Sequence, residues 1–380
     1  MLQQKQYTYY IQTFGCQMNQ SDSERMSMIM EEINFVPSQD ISSADVIILN
    51  TCSVRQKAED RVKGLVRNLR STIPKTSQII LTGCIARRIW DDTKNVQHSN
   101  QKNYSDRVVE LQKTFPGVDF FIETKNFVKI RDYLSEKFNI PEIHTQNIKH
   151  LPQDYLSYTP KYKSTFQAYV PISTGCNHFC TFCIVPFSRG KEICRPGTEI
   201  IREVFNLVKS GYKDITLLGQ TVNRWIDPKF QNEYVYNEAQ TKIDGLNSKP
   251  MPALELKKWR KFFEIKLTEN NLQDNNNIDV SISSLDLEMP KDFLQLIQVI
   301  DQIPGEWWYT WVSSHPNYLT NQLINYVAKS TKGLDKGFKL HHRPYLHFAL
   351  QSGSDRILKK MNRRHTISCL LYTSPSPRDS

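Results

Sequence analysis

The 380-residue sequence has no apolar run long enough to cross a bilayer, and its start, Met1-Leu2-Gln3-Gln4-Lys5, lacks the apolar segment of a secretory signal. Those absences predict a cytoplasmic protein with no membrane partner. In a reducing compartment the eight cysteines are better suited to metal ligation than to a disulfide framework. Negative charge is also in short supply: 39 acidic residues face 49 basic ones, giving a net charge of +10 and a pI near 9.1. That balance favours a polyanionic partner such as RNA, though many basic proteins bind none. The remainder is ordinary for a globular chain, with 39% hydrophobic and 23% charged residues and room for two or three domains.

The densest chemistry lies in Thr174-Gly175-Cys176-Asn177-His178-Phe179-Cys180-Thr181-Phe182-Cys183, on a loop leaving the β-rich run Gln167–Ser173. Three thiolates on a short loop can hold three corners of a cubane [4Fe-4S] cluster, which leaves one iron open to a small molecule. A closed structural zinc site needs four ligands. Cys194 would supply the fourth, so a zinc-containing RNA-binding protein built on Cys176, Cys180, Cys183 and Cys194 is the non-enzymatic alternative.

Three earlier cysteines share one design. Tyr7–Phe14 ends in Gly15-Cys16, Asp45–Thr51 in Cys52 and Gln78–Gly83 in Cys84, each a short β-prone run. Helices are expected between them, over Lys57–Leu69 and over Ser21–Ile33, where Ser21 and Glu24 have capping-box spacing. Strand–helix–strand alternation implies an open parallel sheet whose carboxyl strand ends share one edge, where ligands bind. Cys16, Cys52 and Cys84 should therefore meet in space. The plainer alternative is three buried structural thiols, since free cysteine is often buried.

A polar, helix-bearing insertion over Asp91–Gln112, a strand over Val118–Ile122 and a helix over Val128–Lys137 complete a first domain, 1–137. Residues 138–165, with Pro141, Pro152 and Pro160, have the texture of a linker. From 166 a second α/β region begins, with strands at Gln167–Ser173, Asp214–Gly219, Trp308–Ser314 and Tyr345–Leu350. Helices are expected near Glu199–Lys209, Phe293–Ile303, Leu319–Ser330 and Asp355–Met361. Residues 227–288, rich in Asn, Gln, Lys and Asp, form a surface insertion whose one helix covers Leu254–Phe263. Four strand–helix units are part of a barrel, and the Ser/Pro texture of 368–380 adds no fifth.

Together these motifs resemble the radical S-adenosylmethionine (SAM) methylthiotransferases. The resemblance rests on the Cys-x3-Cys-x2-Cys spacing of Cys176, Cys180 and Cys183, and on Thr13–Asn19 with Asp22-Ser23-Glu24. It extends through Asn50–Arg55, Gly83–Arg87, Leu217–Asn223, Ser313–Pro316 and Gln351–Asp355. It implies an α/β chain: an N-terminal open parallel-sheet (Rossmann-like) domain, then a partial radical SAM (β/α)6 barrel over 166–367 missing its last units. By the same resemblance the family's C-terminal RNA-binding β-barrel is absent, and 368–380 is a non-native tail on a truncated chain of impaired activity.

Two [4Fe-4S] clusters and SAM are the implied cofactors. Cys176, Cys180 and Cys183 would hold the cluster that binds SAM, and Cys16, Cys52 and Cys84 an auxiliary cluster that carries the transferred sulfur. The implied reaction is radical transfer of a methylthio group to C2 of an adenine, a C–H bond that acid/base side chains cannot activate. Gln17-Met18-Asn19 and Val54-Arg55 favour the branch acting on N6-isopentenyladenosine in tRNA. Sister branches act on threonylcarbamoyl-adenosine in tRNA or on a ribosomal protein. Expected partners are tRNA and an electron donor such as flavodoxin or ferredoxin, with the chain itself a monomer.

Gln220, Asn223, Ser313 and Gln351, at strand ends, and Arg189, after the cysteine loop, are the candidate SAM contacts. Arg87, Arg88, Lys359, Lys360, Arg363 and Arg364 are phosphate contacts or plain surface. Cys194 is expected to be a non-ligand, and His315 a hydrogen-bonding pocket residue.

Overall fold

The run Val46-Ile47-Ile48-Leu49-Asn50-Thr51 shows no alternation of polar and apolar residues, as befits a strand covered on both faces. The computed structural model describes residues 6–53, 56–86, 104–140, 155–233, 249–268, 287–332, 340–343 and 345–368. In it all six residues of that run are buried in the middle of a sheet.

The sheet belongs to a first unit made of Met1–Lys163 and Cys183–Gly190. Its strands are β1 (Thr8–Thr13), β2 (Val36–Pro37), β3 (Val46–Thr51), β4 (Gln78–Gly83) and β5 (Phe120–Phe121). All neighbours are parallel, in the order β2-β1-β3-β4-β5. The helices are α1 (Gln17–Glu32), α2 (Gln56–Thr72), α3 (Tyr104–Thr114), α4 (Ile130–Lys137) and the short α5 (Val185–Ser188).

Alternate residues of β3 go to opposite cores. Val46 and Ile48 join Met26, Ile29 and Met30 of α1 and Leu134 of α4. Ile47 and Leu49 join Val62, Val66 and Leu69 of α2 and Phe115 just beyond α3. Each such side chain contributes about 1.5–3 kcal/mol by leaving water. The result is a sheet with helices on both faces. Its strand order reverses between β1 and β3, the place where open α/β sheets take ligands.

Three local features differ from expectation. The helix expected from Ser21 starts at Gln17 with Cys16 as its N-cap, so Ser21 and Glu24 are interior helix residues and not a capping box. Both are buried, and the buried Arg25 donates from Nη1 to Ser21 Oγ at 2.8 Å. The turn at Gly15, with φ of +117°, has already opened the helix upstream of the serine. Residues 155–158 of the expected linker are instead core: the apolar bodies of Tyr155, Leu156 and Tyr158 pack among those of α1 and α4. β2 was not expected, being two residues long and ending in Pro37.

The second unit is made of Ser164–Phe182 and Lys191–Ser380. Its sheet pairs β6 (Gln167–Pro171), β9 (Asp214–Leu218) and β10 (Trp308–Trp311) in parallel, in the order β10-β9-β6. A small antiparallel pair, β7 (Ser173–Thr174) with β8 (Ile193–Cys194), brackets the cysteine loop. The helices are α6 (Gly197–Lys209), α7 (Ala253–Thr268), α8 (Phe293–Ile300), α9 (Asn321–Lys332) and α10 (Asp355–Lys360). All eight residues of α8 are buried, six of them apolar and the other two Gln295 and Gln298.

The expected fourth strand, Tyr345–Leu350, forms no ladder and touches the sheet through one parallel bridge between Ser314 and Phe348. The helix within 227–288 is more than surface: Trp259, Phe262 and Phe263 are buried, and Phe263 stacks on Phe205 of α6 at 5.4 Å. Residues 91–103, 234–248, 269–286 and 369–380, and with them most of the insertions and the Ser/Pro tail, lie outside the described residues.

Candidate functional site

The carboxyl ends of β1, β3 and β4 lie side by side, and each leads into a cysteine: Cys16, Cys52 and Cys84. Cys84 donates its backbone N–H to the Thr51 carbonyl at 2.8 Å, one residue from Cys52. Two glycines permit this approach. At Gly15, a Cβ would stand 2.6 Å from Cβ of Cys52. At Gly83, with φ of +88°, a Cβ would press on the Thr51 backbone and come 2.6 Å from Asn50 Oδ1. Any larger residue at either position would push the cysteine-bearing turns apart.

A polar net locks the same edge. Asn19 Nδ2 donates to Asn50 Oδ1 at 3.1 Å and to the Thr51 carbonyl at 2.9 Å. Asn50 Nδ2 answers to the Asn19 carbonyl at 2.8 Å and to Ser23 Oγ at 2.9 Å. The Cys16 thiol lies 3.3 Å from Asn19 Oδ1. Cys52 and Cys84 are buried and Cys16 is exposed. Cys16 and Cys52 line a cavity of about 1060 Å³ that also takes in Thr13, Phe14, Lys57 and Arg61.

Arg189, a candidate SAM contact from sequence, pairs with a carboxylate of this unit. Its Nη2 pairs with Asp22 Oδ2 at 2.7 Å and reaches Asn19 Oδ1 at 3.3 Å, with both partners of the ion pair buried. Burial alone would lower the pKa of the guanidinium. Asp22, and after it Cys84, outweigh that effect and hold it above its ordinary value. The motif residues Val54 and Arg55 and the candidate phosphate contacts Arg87 and Arg88 lie outside the described residues.

In the second unit, Gly175 N donates to Gln220 Oε1 at 2.7 Å, and the Cys176 thiol lies 3.4 Å from Thr221 Oγ1. Cys176 and Cys180 are buried; Cys183, half-buried, begins the short segment grouped with the first unit. Thr181 ties the loop to the Met361 and Lys360 carbonyls at 3.2 and 3.1 Å, and Asn362 Nδ2 donates to the Phe179 carbonyl at 3.1 Å. The Arg363 guanidinium sits 5.9 Å from the Phe182 ring centre. Lys359, Lys360 and Arg364 have no assigned anion partner among the described residues.

Four non-glycine residues of this unit have positive φ: Phe179, Ser313, Gln351 and Asn362. Such conformations cost about 1–3 kcal/mol and cluster at functional sites. Two of them, Ser313 and Gln351, are among the residues expected to bind SAM. The amide of Asn223, another of that set, is committed to the backbone of His315, donating to its carbonyl at 3.0 Å and accepting from its N–H at 2.8 Å.

His315 stacks on His178 at 4.1 Å with the rings nearly parallel. Burial first, then the charge of Arg224, holds His178 down to about 4. Burial and then His178 hold His315 down to about 2. Both are therefore neutral at pH 7, and their buried Nε2 atoms have no hydrogen-bond partner among the described residues. A polar ligand would satisfy such atoms. Cys194 pairs through its backbone with Ser173, and burial, then Glu192, push its thiol up to about 12. With no metal bound, that environment keeps the thiol neutral.

Among the described residues no three His, Cys, Asp or Glu side chains converge on a single metal ion. Cubane thiolates each bind a different iron, so the donor set suits a cluster without such convergence. Lys57 and Arg61 were not singled out from sequence. Their signal is the spacing of two cations one helical turn apart, directly after the Cys52 strand end.

Residues 8–103 match the model of a family described as uncharacterized protein family UPF0004. Over 362 residues the chain is 31% identical to the tRNA-2-methylthio-N(6)-dimethylallyladenosine synthase of Dictyoglomus thermophilum, covering 95% of this chain and 63% of that protein. Over 374 residues it is 32% identical to the protein of the same name from Treponema denticola, covering 95% and 64%. The likeness carried by the motifs thus runs along nearly the whole chain, which spans a little under two thirds of the length of these relatives. A solved structure of the radical S-adenosylmethionine methyltransferase TsrM from Kitasatospora setae, with tryptophan and a SAM analogue bound, overlays with a TM-score of 0.48. Its identity is 9%, over 97% of this chain and 65% of that one.

Proposed function

We propose that this chain is the greater part of a radical SAM methylthiotransferase that modifies C2 of N6-isopentenyladenosine in tRNA, using two [4Fe-4S] clusters. One observation supports the reading: three cysteines more than thirty residues apart each follow the carboxyl end of one of three neighbouring parallel strands, in a chain that also holds Cys176, Cys180 and Cys183 in Cys-x3-Cys-x2-Cys spacing. A lone radical SAM centre has no need of that first trio. The names of the relatives favour the isopentenyl substrate over the sister substrates.

In this reading Cys16, Cys52 and Cys84 hold the sulfur-carrying cluster and Cys176, Cys180 and Cys183 the SAM-binding one. When bound, the clusters and SAM supply the one-electron chemistry and the sulfur that an inert C2–H bond demands. The chain positions and shields them. Gly15 and Gly83 let the strand ends close, and the Asn19–Asn50 net fixes the turn that bears Cys16. Gln220 orients Gly175 at the head of the cysteine loop. The unpartnered Nε2 atoms of His178 and His315 are suited to receive polar groups of SAM, with Ser313 just past β10 and Gln351 just past the Tyr345–Leu350 segment as further candidates. An electron donor such as flavodoxin or ferredoxin completes the system.

Anaerobic purification tests the reading: about eight irons per chain are expected, and about four after Cys16, Cys52 and Cys84 are all changed to serine. Unchanged iron in that variant would remove the auxiliary cluster and the methylthio assignment with it. Nucleoside analysis of tRNA from a strain lacking the gene tests the substrate. Loss of the 2-methylthio group from isopentenyl-adenosine is expected, whereas loss from threonylcarbamoyl-adenosine would reassign it.

A further inference from the structure

The cavity beside Cys16 and Cys52 carries a charge that the thiols do not account for. Lys57 and Arg61 line it from α2, four residues apart and therefore on one helix face. Both are exposed, and neither has an ion-pair or hydrogen-bond partner among the described residues. No carboxylate is among the described lining residues. The amino end of α2, which begins at Gln56, opens at the same place and adds its own positive potential. Two uncompensated cations, a helix amino end and an apolar wall at Phe14 thus face a solvent-open space next to an exposed cysteine.

We propose that Lys57 and Arg61 form an oxyanion seat at the mouth of this cavity, which takes a phosphate of a polynucleotide backbone. The chemistry favours phosphate. An Arg fork grips two oxygens of one phosphate while a Lys ammonium neutralises it as a point charge. The exposure of both cations suits a phosphodiester arriving from solvent on a larger molecule. The choice of nucleic acid rests on the tRNA reading above. The seat itself rests only on the cavity and its charges. It would anchor the strand beside the thiol-bearing edge and would read no base.

The test uses the full-length chain without added iron, so it does not depend on cluster assembly or on methylthio transfer. Cys16 is alkylated with iodoacetate, which is anionic, and with iodoacetamide, which is neutral, and its modification is read by peptide mass. Lys57→Gln with Arg61→Gln should lower the iodoacetate rate at Cys16 about tenfold relative to iodoacetamide. Arg67→Gln with Lys75→Gln, which removes equal charge from exposed positions outside the cavity, should leave the ratio unchanged. A short RNA stem–loop should protect Cys16 of the parent chain. The slope of log affinity for that RNA against log salt should shrink by about 1–2 in the Lys57/Arg61 variant and not in the control.

If the alkylation ratio does not move, there is no seat. If the ratio moves and inorganic phosphate protects Cys16, but the RNA slope is unchanged, the seat takes free anions and the polynucleotide assignment fails. Matching unfolding curves for the two double variants would show that neither result reflects misfolding.

Discussion

The two cysteine trios are built in opposite ways. In the first unit the thiols arrive on three separate strand ends, and what brings them together is the parallel register of β1, β3 and β4. The other trio occupies a single eight-residue stretch of sequence, Cys176–Cys183, and what shapes the part of it up to Phe182 is a ring of ties: the β7–β8 pair, Gln220, Thr181 and Asn362. A site delivered by a sheet inherits the stability of the whole core, and it fails only when the core does. A site carried on one loop is set by a few hydrogen bonds, and it can loosen while the sheet beneath it stands.

The largest effect expected from this contrast comes from Gly83→Ala. The new Cβ meets the Thr51 backbone at a position whose φ is positive. Strain and overpacking together should cost about 3–5 kcal/mol. Denaturant unfolding should register the loss, and iron should fall from about eight to about four per chain. Full iron loading in a destabilised protein would break the claim that register delivers the first trio.

Asn362→Ala should behave differently. It removes hydrogen bonds to the Phe179 and His178 carbonyls from an exposed residue, which costs about 1 kcal/mol or less. Overall stability should barely change, while about half of the iron should leave faster when a chelator is added. Uniform release of all the iron would mean that the loop is not independently loosened. The smallest effect is expected from Cys194→Ser. With the thiol buried and its backbone paired in β8, iron content should be unchanged. A loss of about four irons would place Cys194 among the ligands.

Legibility in the sequence followed the same division. β1, β3 and β4 and their terminal cysteines were plain because short β-prone runs closing in Gly-Cys or Thr-Cys repeat three times. The cysteine loop was plain from spacing alone. Less visible was anything decided by tertiary context. Ser21 and Glu24 carry a helix-start pattern, yet Gly15 and Cys16 open the helix first and turn both side chains inward. Tyr155, Leu156 and Tyr158 sit among prolines and still fill the core, because a polar-looking stretch can bury a few large side chains. Tyr345–Leu350 has strand-forming residues but finds a single bridge, since propensity does not supply a pairing partner. Arg189 follows the cysteine loop in sequence, which suggested SAM. Its commitment to Asp22 depends on a contact across 167 residues, which no local pattern encodes.

That contact bears on how the molecule can be divided. Asp22 has no exposed side-chain surface, and its counter-charge is donated by a stretch of chain lying beyond residue 182. A fragment ending at residue 163 would keep every strand of the first sheet and leave this carboxylate stranded in the interior. Removing one partner of a buried ion pair costs about 3–5 kcal/mol, a large part of what holds a small domain together. Expressed alone, the amino-terminal half should therefore be less stable by about that amount, with Tyr155 the contact left to Asp22, because splitting the chain at the apparent boundary removes Arg189.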